Sequence, residues 1–230
     1  MSVFFKSETI VPDQPRFELF AFWRTSATYR VRVALNLKGL AARERFVNVD
    51  AGEARSEAFL RINPLGGVPA LVEPGFPPLT QSAAILEYLD EIAPNPPLLP
   101  PDPRGRARVR SVAAMLATDT HPLVTPRIKR YLMDHGFDDA AWRAWQIQWF
   151  STGLRAVEQR LASDGQTGRF CHGDAVTMAD IMLMSIIVVA RVFKIEVAGT
   201  PTINRIAALC EAQEAFAQAD PTRQEGAPQP

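Results

Sequence analysis

Apolar positions along the chain change their period once. From residue 17 the run FELFAF alternates as a short strand does, and the next stretch, SATYRVRVALNLK, carries apolar residues at helical spacing before Gly39, a C-cap residue. Residues 46–49 alternate like a second strand, and SEAFLRIN reads as a short helical piece. In VPALVEPGFPPLTQS two apolar runs flank a Pro- and Gly-rich turn, the pattern of a hairpin. SAAILEYLDEIAP follows as a helix with Ser82 at its N-cap and an end before Pro94. The order βαβαββα predicts a small α/β domain with a mixed sheet over residues 16–94.

The prolines of NPPLLPPDPRG, residues 95–105, suit neither helix nor central strand and mark a linker. From Arg106 only helical periodicity is visible. VRSVAAMLATDTHPLV, AAWRAWQIQWFSTGLRAVEQRLA, MADIMLMSIIVVARVF and TINRIAALCEAQEAFAQA predict four or five long helices, an all-α domain over residues 106–221. Residues 1–15 read as a flexible arm and residues 222–230 as a disordered tail too polar to pack.

Composition removes several classes of function. Lys+Arg and Asp+Glu are both 25 among 230 residues, which cancels the long-range field of a nucleic-acid binder. Cys171 and Cys210 are too few and too far apart for a metal motif or a disulfide framework, so no metal is expected and a reducing compartment fits. IMLMSIIVVA falls short of the roughly 20 residues a membrane helix needs, and the first residues have no signal-peptide pattern. A cytoplasmic protein without a membrane or nucleic-acid partner is the expectation.

Three stretches of the first domain are candidates for chemistry, each with a plainer alternative. Val68-Pro69 before a strand is a candidate cis bond that leaves the Val68 backbone free to pair with a peptide-like ligand; by frequency such a bond is trans. Gln81-Ser82 opens a helix whose N–H groups and dipole suit a carboxylate, or Ser82 only caps it. Thr25 and Ser26 stand where a strand hands over to a helix. Their hydroxyls either cap the helix or donate to a thiol and lower its pKa.

Taken in order, these strings resemble the glutathione transferases, from residue 17 to about residue 221, and the zeta class in particular. RTSATYRVRVALNLKG resembles the class signature, NPLGGVPAL the cis-proline loop, and TQSAAILEYLDE the segment that grips the γ-glutamyl end of glutathione. LLPPDPRGRARVR resembles the interdomain linker, THPLVTPRIKRYL the His-Pro stretch of bacterial isomerases, and HGDAVTMADIML the family's folding motif. In that motif Thr177 and Asp180 have near capping-box spacing, which gives Asp180 a structural role.

The resemblance implies a thioredoxin-like domain followed by a helical bundle, a homodimer, and glutathione as coenzyme. It implies cis–trans isomerisation of maleylacetoacetate- or maleylpyruvate-type dicarboxylates by thiolate addition, rotation and elimination. Thr25 and Ser26 are then the thiolate donors. Val68, Pro69, Gln81, Ser82 and His121 hold glutathione, though His121-Pro122 also reads as a helix-breaking pair. Arg24, Arg127 and Arg191 are the candidates for the substrate carboxylates. The chain departs from the class at Ala27, where many members have cysteine, and at Gly66-Gly67, where larger polar residues are common. Arg191 stands one residue early, about 100° around a helix. A transferase that conjugates or dehalogenates small electrophiles, or a non-catalytic binding module of the same fold, are the alternatives. Trp142, Trp145 and Trp149 read as a buried helix stripe, and Arg104, Arg106, Arg108 and Arg110 as a solvated helix start or dimer-cleft lining.

Overall fold

The computed structural model describes residues 15–228, so the expected N-terminal arm lies outside the described residues except for Pro15. Strand β1 (Phe17–Ala21) buries Phe17, Leu19 and Ala21 on one face, as its alternation predicts. Helix α1 (Ser26–Lys38) returns the chain along the sheet and ends at Gly39 in the left-handed region. Strand β2 (Ala42–Phe46) pairs parallel with β1. It lies earlier than residues 46–49, because Arg45 and Glu44 sit on an edge strand and are satisfied by ion pairs with Glu18 and Arg32. Periodicity of apolar residues cannot reveal such a strand.

After a 3-10 turn (Glu53–Arg55), helix α2 (Glu57–Leu60) is capped by Ser56, whose hydroxyl accepts from the Phe59 N–H at 3.2 Å. The hairpin of β3 (Ala70–Val72) and β4 (Leu79–Thr80) completes a sheet of order β2-β1-β3-β4, with β3 antiparallel to both of its neighbours. Helix α3 (Ser82–Ile92) packs beside α1. Ser82 is its first residue and not its cap; Gln81 holds the cap position at φ 70°.

The linker gives way to helix α4 (Pro103–Ala117) sooner than residue 106, since Asp102 caps it by accepting from the Gly105 N–H at 2.7 Å. A separate 3-10 turn (His121–Val124) and helices α5 (Pro126–Asp134), α6 (Asp139–Ala162), α7 (Met178–Val192), α8 (Pro201–Glu211) and α9 (Glu214–Gln218) complete the bundle. Helix α7 is buried from Met178 through Ala190 and packs on both α1 and α4, so one core spans the α/β and helical parts. Its start is fixed by Asp180, which is fully buried and accepts from the Cys171 N–H at 2.7 Å and from the Thr177 N–H and hydroxyl at 2.8 Å each.

The described part of the tail departs from the disorder expected of it. Asp220 caps a 3-10 turn (Pro221–Arg223) with Pro221 buried, and the Gln224 amide donates to the Gln218 carbonyl at 2.8 Å. Local side-chain hydrogen bonds hold in place a segment that has little apolar surface to bury.

Candidate active site

The turn from β1 to α1 opens at one end of the sheet. Register places Ala21 beyond the Phe20–Ala70 pair, and Pro69 and Gln81 beyond the Ala70–Thr80 pair. The Val68-Pro69 loop, Gln81, Ser82 and the residues after Ala21 therefore share this end. The Val68-Pro69 bond is cis. Asn63, buried, braces its loop by donating to the Gly67 carbonyl at 2.6 Å and accepting from the Leu65 N–H at 3.1 Å. Gly66 adopts φ 62°, and a Cβ there would stand 2.8 Å from the Ala54 carbonyl oxygen. Larger residues are excluded at this position by the backbone of the preceding turn.

Beside this end a cavity of about 380 Å³ lies between the α/β and helical parts. Arg24, Thr25 and Ser26 enter it from the β1–α1 turn, Val49 and Asp50 from the loop after β2, and His121 and Val124 from the 3-10 turn. Thr25 is the N-cap residue of α1 in extended conformation, yet its hydroxyl makes no cap bond. It is hydrogen-bonded to the Thr28 hydroxyl at 2.6 Å. Ser26 is 2% exposed, and its hydroxyl has no hydrogen-bond partner among the described residues. Neither hydroxyl is therefore spent on capping the helix.

His121 is placed by close packing. Thr120, fully buried, lies against α6 at Gly153, where a Cβ would stand 2.1 Å from the Thr120 hydroxyl oxygen. The Trp145 indole N–H donates to the Leu123 carbonyl at 2.7 Å and pins the same turn from the other side. Burial, with the positive charges of Arg30 and Arg127 nearby, pushes the His121 imidazole down to about 3. The imidazole is neutral near pH 7.

The cation set differs from the expected one. Arg24 lines the cavity, pairs with Asp50, and has its guanidinium carbon 5.7 Å from the Phe22 and Trp23 ring centroids and 5.4 Å from that of Phe193. Arg127 is exposed and outside the lining. Arg191 is 56% exposed in its side chain and pairs with Glu211 across α7 and α8, because its position on α7 faces that helix. Lys129 and Arg130 of α5 line the cavity in their place. Helix α5 presents Pro126, Lys129, Arg130 and Met133 to the cavity, an i, i+3, i+4, i+7 face.

Trp142 and Gln146 enter from α6, and Val189 and Phe193 from the end of α7. Trp142 is thus a lining residue in addition to a member of a packed stripe. Gln146 is 4% exposed, and its amide has no partner among the hydrogen bonds of the described residues. Val68, Pro69, Gln81 and Ser82 lie outside the cavity lining, along the sheet end next to it. Among the described residues no group of three or more His, Cys, Asp or Glu could hold a metal ion, and no helix is long and apolar enough to cross a membrane.

Comparison with known proteins places this architecture. Residues 15–91 match the family model described as glutathione S-transferase, N-terminal domain. The chain is 41% identical over 208 residues to the maleylpyruvate isomerase of a Ralstonia species, covering 90% of this chain and 98% of that one. It is 41% identical over 213 residues to the maleylacetoacetate isomerase of Pseudomonas aeruginosa, covering 92% and 99%. The crystal structure of maleylacetoacetate isomerase from Methylobacterium extorquens AM1, with bound malonate and GSH, superposes with a TM-score of 0.90 at 47% identity over 92% of this chain and all of that one. The chain belongs to the glutathione S-transferase family, in the zeta-class branch that holds the maleylacetoacetate and maleylpyruvate isomerases.

Proposed function

We propose that the protein is a glutathione-dependent cis–trans isomerase of maleylacetoacetate- or maleylpyruvate-type dicarboxylates. The observation that carries this reading is the cavity itself, where the hydroxyl-bearing start of α1 faces Arg24, Lys129 and Arg130. Two or more cations around one small cavity suit a substrate with two carboxylates, and electrophiles without carboxylates have no use for them. The relatives named above carry the same activity in their names.

The residues present fit glutathione. Ser82 and the free N–H groups at the start of α3 suit the γ-glutamyl carboxylate, and the Val68 backbone before β3 suits the cysteinyl amide. Bound glutathione would supply a thiolate for reversible addition to the cis double bond; after rotation about the resulting single bond, cleavage of the C–S bond would return the thiol and re-form the double bond as the trans isomer. Ser26, without a hydrogen-bond partner among the described residues and at the first position of α1, would donate to the sulfur and hold it as the anion, with the α1 dipole adding to the effect. Thr25 acts beside it through its own N–H and its hydrogen bond to Thr28. His121, neutral, donates or accepts one hydrogen bond from the helical side. Arg24, Lys129 and Arg130 hold the carboxylates and the charge that develops on the conjugated carbonyl oxygen.

Arg191 is not needed for this reading, since α5 brings its own cations. We infer further that the protein is a cytoplasmic homodimer. The exposed Leu65 and Phe76, at 67% and 68%, support association, and the two buried unpaired thiols suit a reducing compartment. Calorimetric titration of glutathione, with the thiolate absorbance recorded near neutral pH, tests the site. Binding with a new thiolate band, lost in Ser26→Ala, is expected; absence of binding at millimolar glutathione overturns the proposal.

A further inference from the structure

Among the described residues four basic side chains are buried in the core, and three have carboxylate partners. Arg32 pairs with Glu44, Lys38 with Asp90 and Arg108 with Asp164. The fourth, Arg30 of α1, is 2% exposed and has no carboxylate partner among the described residues. Its Nε donates to the Ser185 hydroxyl of α7 at 2.8 Å and its Nη1 to the Ser82 hydroxyl of α3 at 3.2 Å. Its Nη2 is buried with no partner among the described residues. Burial without a counter-ion lowers its pKa to about 9, which leaves it charged near pH 7.

A guanidinium has donors only, so both hydroxyl oxygens must accept from it. Ser185 spends its own proton on the Met182 carbonyl at 2.6 Å. The Ser82 proton has no acceptor among the described residues. It stands at the first residue of an 11-residue helix, beside free backbone N–H groups.

We propose that Arg30 is a positioning residue for the anion bound at the start of α3. By occupying the Ser82 oxygen as an acceptor it turns the Ser82 proton outward to the γ-glutamyl carboxylate of glutathione, and that carboxylate supplies a counter-charge that no described residue provides. The inference rests on the glutathione-binding reading above. It separates two quantities that a structural arginine would move together. Replacing Arg30 by an apolar side chain of similar length removes an unpaired buried charge and leaves the free protein as stable or more so, while binding weakens.

The test compares glutathione with γ-aminobutyryl-cysteinylglycine, which lacks only the γ-glutamyl α-carboxylate, by calorimetry and thermal melting of full-length protein. Wild type is expected to prefer glutathione by roughly 10- to 150-fold, the range for a hydrogen bond to a charged group. Arg30→Met is expected to bind the two within about threefold of each other, with an unliganded melting temperature no lower than wild type. Wild-type preference retained in Arg30→Met overturns the inference, as does a fall in unliganded stability with preference intact. Should Arg30→Met fail to fold, Ser185→Ala removes the other anchor of the guanidinium without touching α3. A preference reduced about threefold or more then supports the inference, and an unchanged one overturns it. Failure of wild type to bind glutathione at all brings down the proposed function as well; binding with unchanged preference in the variants removes this inference alone.

Discussion

Arg24→Met takes away a cavity cation on the α/β side of the site, next to Thr25 and Ser26. Its guanidinium is 24% exposed, sits among the Phe22, Trp23 and Phe193 rings and is paired with Asp50. The aromatic walls lower the local dielectric, and a substrate carboxylate must displace Asp50 to reach it. A hydrogen bond to a charged group contributes about 1.5–3 kcal/mol, which converts to roughly a 10- to 150-fold loss of kcat/KM. Asp50→Asn frees the guanidinium from its competitor and is expected to leave kcat/KM unchanged or raise it. Arg24→Lys keeps the charge but not the planar fork, and falls between wild type and Arg24→Met. Steady-state isomerisation of maleylpyruvate, followed by the absorbance change of the conjugated product, gives all four values under one condition. A kcat/KM for Arg24→Met within threefold of wild type refutes the assignment.

Asp180→Ala orphans two buried backbone donors, those of Cys171 and Thr177, at about 1–3 kcal/mol each, partly offset by removal of a carboxylate whose burial raises its pKa. A net loss of about 3 kcal/mol in urea denaturation, or a melting temperature lower by about 6–12 °C, is expected. His121 is neutral in the fold down to about pH 3, while the unfolded chain takes up a proton below about pH 6.5. Its contribution to stability is therefore full above pH 6.5 and is lost as the pH falls towards 3. His121→Gln flattens that acid-side fall in the denaturation midpoint. Lys129→Gln combined with Arg130→Gln raises KM for the dicarboxylate by on the order of tenfold and weakens the salt dependence of kcat/KM, read from initial rates between low and high sodium chloride.

The parts of the fold that sequence reasoning reaches are those where local chemistry and packing agree. Alternation in FELFA, helical spacing before Gly39, and Thr177 with Asp180 before a run of apolar residues each carry their own cause. Strand β2 escapes because ARERF is held by pairing to β1 and by ion pairs, neither of which leaves an apolar period. Helix α5 escapes for a related reason: none of its residues is buried, and its inward face is built of Lys129 and Arg130 with Pro126 and Met133. That face has helical spacing, but a helical face of cations reads as solvent-exposed until a cavity is known to lie beneath it. Arg30 reads from sequence as one more helix arginine; only the folded chain brings α3 and α7 to it.

In the proposed reaction glutathione is used and returned while a cis dicarboxylate becomes trans. The direct measurement is the conversion of maleylpyruvate by the purified protein with and without a substoichiometric amount of glutathione, with product geometry and residual thiol determined together. Many turnovers to the trans isomer with the thiol fully recovered are expected, and none without glutathione. Consumption of one glutathione per substrate, or conversion that does not depend on glutathione, contradicts it.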